Sequence, residues 1–206
     1  MIYPKKNRFI LWFMEKYTDF ALQQTFRQIS YNHPELLPGK SVLLLANHFS
    51  YWDGLLLHHI NKQVFKKNFH VMILEETAQK EVFLKYAGAF TVNKNSRDVI
   101  KSLDYAAALL SNPDNLVLIF PQGALHSNFV DEVAFEKGVF KIMERAQDSF
   151  QLLFAVTFIE YFQYKKPSAF VNLASAAEKF ADIAALKNAF QKHYENAKLQ
   201  QSKIVV

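Results

Sequence analysis

A chain of 206 residues fits one domain that can bury a core without staples. It has no cysteine, which excludes disulfides, zinc–thiolate sites and a Cys nucleophile. The formal net charge of +5 is mild and its Lys and Arg are scattered; this favours anionic partners such as a membrane surface, CoA or a carrier protein, and no recognition motif points to nucleic acid.

The spacing of Phe9, Trp12, Phe13, Tyr17, Phe20 and Ala21 predicts an amphipathic helix over 7–30. Pro34, Pro38 and Gly39 then mark a loop, so 1–38 reads as helix plus linker and 39–206 as the main domain. The run Ser41 to Ala46 has the composition of a buried strand. A helix is expected from about Gly54 to Lys62, a strand from Phe69 to Leu74, and a helix from Thr77, as its cap, to Ala87, with Gly88 past its end. A brief strand Phe90 to Val92, a helix Ser96 to Leu110 and a strand Leu116 to Phe120 follow. A loop then runs from Pro121 to about Val133 and a helix from Phe135 to Ala146. Strands at Leu152 to Phe158 and Ala169 to Leu173 precede a closing helix from Ala174 to Lys198. This alternation predicts an α/β fold: a single domain whose mostly parallel sheet is flanked by helices, preceded by the N-terminal amphipathic helix.

Ligands of such sheets bind beyond the carboxyl ends of strands. Two polar clusters fall there, Asn47 to Asp53 and Pro121 to Ser127. His48 and Asp53 are five residues apart, which on a helix turns about 500° and leaves the side chains about 140° apart. Contact therefore requires His48 in a loop or first turn, with Asp53 folding back. An Asp that accepts from one imidazole nitrogen fixes the tautomer, and the other nitrogen is left to take a proton from a hydroxyl. The bland alternative is that His48 caps neighbouring backbone and Asp53 caps the next helix. His58, His59 and His70 lack a metal spacing, and no metal is expected. There is no Gly-x-Ser-x-Gly, no phosphate-cradling glycine loop and no dinucleotide fingerprint. Lys62, Lys66 and Lys67 form a small basic cluster, either a solvated face or a contact for an acidic carrier protein.

The block Asn47, His48 and Asp53 directly after a Val-Leu-Leu-Leu-Ala strand, followed much later by Pro121, Gln122 and Gly123 after a second strand, resembles the glycerolipid acyltransferase superfamily. Its archetype is 1-acylglycerol-3-phosphate acyltransferase, with an NHx4D motif first and a Phe-Pro-Glu-Gly-Thr-Arg block later. Gly88 to Arg97 is similar to the family stretch that helps bind acceptor phosphate, and Phe135, Lys137 and Gly138 match a turn that opens a helix. The resemblance spans roughly 40–160. It implies transfer of a fatty acyl group from an acyl thioester, acyl-CoA or acyl-carrier protein, to a hydroxyl of a lipid acceptor. His48 would be the general base and Asp53 its partner; Asn47, Lys94, Arg97, Gln122, Gly123 and His126 would bind substrate, with no bound cofactor.

The departures bear on the acceptor. Gln122 stands where the family has Glu, and Ala124 and Leu125 stand where it has Thr-Arg. Arg grips phosphate in a bidentate fork and Leu cannot. An acceptor other than lysophosphatidate is expected, such as another lysolipid, a glycolipid or a hydrophobic alcohol. The competing reading is a catalytically degenerate relative that binds lipid or a partner. No stretch reaches the roughly 18 apolar residues needed to span a bilayer. We expect an unprocessed, cytoplasmic protein, peripheral on the cytoplasmic face of a membrane. Its docking segment would be Lys5, Lys6 and Arg8 with Phe9, Trp12, Phe13 and Phe20, unless that aromatic stripe packs on the domain itself.

Overall fold

The run Ser41–Ala46 is strand β2, and every one of its side chains is buried. Uniform burial follows from its place in the middle of a seven-stranded sheet ordered β1-β7-β6-β2-β5-β3-β4, covered by helices on both faces. The other strands are β1 (Gln28–Tyr31), β3 (Asn68–Leu74), β4 (Ala89–Val92), β5 (Asn115–Ile119), β6 (Phe150–Glu160) and β7 (Ser168–Ser175). The computed structural model describes residues 1–5, 7–93, 98–147, 149–176 and 179–206, without the side chains of Val82 and Phe83.

β4, β3, β5, β2 and β6 run parallel. β7 returns antiparallel along β6, and β1 lies parallel to β7 at the edge. The expected α/β fold with a mostly parallel sheet is therefore present. Alternate residues of each strand face opposite sides. Leu43, Leu45, Val117 and Phe154 pack under α4 (Val99–Leu110), α5 (Gly138–Ala146) and α6 (Ile183–Gln201). Val42, Leu44 and Leu118 pack under α2 (Trp52–Ile60).

Several boundaries differ from the sequence reading. Helix α1 (Arg8–Thr25) ends short of residue 30, and residues 28–31 are drawn into the sheet by pairing with β7. Its start is fixed by Asn7, whose side chain accepts from the N–H groups of Phe9 and Ile10. α2 begins two residues early and runs on as a π-helix, Asn61–Phe65, ended by left-handed Lys66. The expected helix from Thr77 to Ala87 splits into α3 (Glu75–Lys80) and a 3-10 turn, Val82–Ala87; Leu74, not Thr77, is the N-cap residue. Gly88 does end that unit, with φ of 102°. Residues 174–175 belong to β7, and the closing helix starts only at Ile183, where Asp182 accepts from Ala185 N–H. Among the described residues no helix is long and apolar enough to cross a membrane.

Candidate functional site

β2 and β5 are neighbours, so the loops that leave their carboxyl ends meet. His48 lies in the loop after β2, and Asp53 is the second residue of α2. The loop folds Asp53 back as the spacing required: His48 Nδ1 lies 2.9 Å from Asp53 Oδ2. The same oxygen accepts from the N–H groups of Phe49 at 2.8 Å and Ser50 at 2.9 Å. Asp53 is fully buried, and its Oδ1 has no hydrogen-bond partner among the described residues. A carboxylate held by two backbone donors has one oxygen committed to the imidazole, which assigns the proton to Nδ1 and leaves Nε2 as an acceptor.

The His48 ring stacks on Phe120, with centroids 4.0 Å apart and an interplanar angle of 18°. Phe120 fixes the ring plane, and Asp53 fixes its rotation. The main chain of His48 is clamped from the second loop. Its N–H donates to Gln122 Oε1 at 2.6 Å, and its carbonyl accepts from His126 N–H at 3.0 Å. Gly123 turns that loop with φ of 64°, a conformation that suits glycine. Asn47 faces the other way: its Nδ2 donates to Thr157 O at 3.0 Å and its Oδ1 accepts from Thr157 N–H at 2.8 Å, stitching the end of β2 to β6.

The structure thus brings His48, Asp53, Gln122 and Gly123 together, with Asn47 behind them. The His126 side chain is exposed and only its backbone reaches His48. Lys94 and Arg97 lie outside the described residues. The basic cluster is at the far end of the sheet, before β3, and two of its cations are engaged there. Lys67 Nζ donates to the carbonyls of Lys40 and Pro113, and Lys62 pairs with Asp19 at 2.7 Å. Phe120 and Thr157 were missed by sequence reasoning, because their roles come from strand pairing and from the packing of one ring on another.

His48 opens on a cavity of about 710 Å³. Residues from both faces of the sheet line it: Leu55, His58 and Val71 on the α1–α2 side, Leu103, Val139 and Ile142 on the α4–α5 side. Leu125 stands at this cavity and is 59% exposed. On α1 the buried residues are Met14, Thr18 and Leu22, whereas Phe9, Trp12, Phe13 and Phe20 are 72%, 55%, 56% and 62% exposed. The aromatic stripe does not pack on the domain.

A family model described as Acyltransferase matches residues 28–158. Among solved structures, the chain is similar to the 1-acyl-sn-glycerophosphate (LPA) acyltransferase PlsC from Thermotoga maritima. The identity is 16%, over 95% of this chain and 81% of that one, with a TM-score of 0.63, which is a likeness of fold. No curated protein matches.

Proposed function

Since the chain belongs to the acyltransferase family, we propose that it moves a fatty acyl group from an acyl thioester, acyl-CoA or acyl-carrier protein, to a hydroxyl of a lipid-type acceptor. The observation that carries this reading is the His48–Asp53 contact, with His48 lining an apolar cavity. The acceptor hydroxyl gives its proton to His48 Nε2 as its oxygen attacks the thioester carbonyl. The C–O bond forms, a tetrahedral oxyanion develops, and its collapse breaks the C–S bond. The imidazolium, stabilised by Asp53, returns the proton to the leaving thiolate. No enzyme nucleophile is required.

The oxyanion needs oriented donors. The N–H groups of His48, Phe49, Ser50, Gly123 and His126 are already spent. Those of Ala124 and Leu125, at the cavity wall, bond nothing among the described residues and are the donors we assign to it. Apolar Leu125 favours an acceptor without phosphate next to the reacting hydroxyl. Catalysis is supported over binding alone by the pre-set tautomer, which a mere lipid-binding cavity has no use for. Incubation with a radiolabelled acyl thioester and a total lipid extract tests the function. A labelled ester that requires His48 is expected, and thioester left intact under all acceptors overturns it.

The exposed aromatics of α1, beside Lys5 and Arg8, are proposed to dock the protein on an anionic, cytoplasmic membrane face from which its substrates enter. Flotation with anionic vesicles should be lost in a Trp12→Glu, Phe13→Glu variant of unchanged Tm. Equal flotation of the variant removes this segment as the anchor.

A further inference from the structure

α2 reads Leu55-Leu56-Leu57-His58, so an imidazole interrupts an apolar run in its last turn. Gly54, Leu55 and His58 share the helix face that lines the cavity. His58 is five residues beyond Asp53, about 7.5 Å along the helix axis at 1.5 Å per residue. It therefore sits apart from the reacting centre, in a lobe of the cavity beside Phe69. The Phe69 ring meets the His58 ring edge-on at 5.1 Å. Tyr17 and Tyr51 line the same cavity. His58 has no hydrogen bond among the described residues.

A polar group withdrawn from water without a partner costs free energy, and such groups in native proteins are paired with protein, water or ligand. His58 is only partly buried, so its ring nitrogens are reached from the cavity, where a hydroxyl can take the place of water. Burial pulls the His58 pKa below its usual value, against the pull of Glu15 and Asp19 and with Lys62 and His59, so the ring is neutral at pH 7. A neutral imidazole offers one donor and one acceptor, which is the complement of a hydroxyl.

We propose that His58 is a specificity residue that hydrogen-bonds a hydroxyl carried part-way along the hydrocarbon chain of one substrate, the lobe being a site for a hydroxylated rather than a plain chain. This rests on the acyl-transfer reading above. Either the acyl donor or the lipid acceptor brings such a chain, and the experiment separates them. One arm compares acyl thioesters with the hydroxyl stepped along the chain against the plain thioester, at fixed acceptor. The other compares hydroxylated and plain acceptors at fixed donor.

About tenfold higher kcat/KM is expected for one hydroxyl position in one arm, the scale of a single hydrogen bond. His58→Leu should erase that preference while turnover of the plain substrate persists, and His58→Gln should restore part of it. A calorimetric titration of free hydroxy and plain fatty acids into wild type and His58→Leu reads the same preference without chemistry. No positional preference in either arm or in the titration overturns the proposal, as does a preference that survives His58→Leu. If no thioester turns over but the titration still shows a His58-dependent preference, the acyl-transfer reading fails and the chain site stands.

Discussion

Within residues 47–53 the loop after β2 holds a base, its carboxylate and two backbone donors on that carboxylate. The loop after β5 meets it at the same end of the sheet but contributes differently: an amide to His48 N–H, a glycine turn, and the apolar Ala124 and Leu125 facing the cavity. The first loop is organised for proton transfer and the second for holding the first in place and shaping what lies above it. Loss of charge from the second loop therefore leaves the base intact and changes the surface an acceptor meets.

The sharpest way to break this contrast is His48→Ala. Activity should fall about a hundred- to ten-thousand-fold with Tm unchanged, the contribution usual for a general base. Near-normal turnover removes the mechanism, and unfolding makes the residue structural.

Asp53→Asn is expected to cost less, about tenfold in kcat. The N–H groups of Phe49 and Ser50 hold an oxygen, not an NH2, at the Oδ2 position, so the His48 tautomer survives and only charge assistance is lost. A loss as large as that of His48→Ala means the amide has turned and selected the wrong tautomer.

Leu125→Arg, alone or with Gln122→Glu, should raise kcat/KM toward phosphorylated acceptors several-fold, because it returns a phosphate fork to the second loop. A wild type that already prefers lysophosphatidate over neutral alcohols contradicts this account of the loop.

The smallest effect lies behind the first loop, where Asp19 of α1 meets His59 of α2 at 3.2 Å and Lys62 at 2.7 Å. Burial pushes the Asp19 pKa up, but hydrogen bonds from Lys62 and His59 outweigh it and leave it below its usual value. A depressed folded pKa means this stabilisation is present at neutral pH and is lost as pH falls through the acid range. Asp19→Asn should cost about 0–1 kcal/mol at pH 7 and nothing once the carboxyl is protonated in both states. Equal Tm deficits at pH 7 and in acid place its role in packing.

Much of the site was legible before the fold. Strand-end placement drew attention to the clusters 47–53 and 121–127, the five-residue spacing set the condition under which His48 meets Asp53, and the family resemblance added Asn47, Gln122 and Gly123. What spacing could not reveal were partners far apart in sequence: Gln122 on the His48 N–H, Phe120 under its ring, Thr157 on Asn47. Residues 28–30 read as helix because local periodicity there is weak, and β7 supplies the pairing that overrides it. The lysine cluster before β3 was legible as charge but not as position, since its distance from His48 depends on which end of the sheet it occupies.

The sequence by itself determined the alternation of apolar runs and helical stripes, and hence a covered parallel sheet, because both periodicities are local properties of the chain. It also determined that His48 and Asp53 meet only if a loop turns back. Tertiary structure alone decided that the aromatic face of α1 looks outward while Met14, Thr18 and Leu22 look in. One amphipathic stripe serves a core or a membrane equally well, and only its neighbours choose. Tertiary structure likewise decided that His58 of α2 opens into the cavity rather than into solvent, because that depends on β3 and α1 closing over the helix from elements distant in sequence.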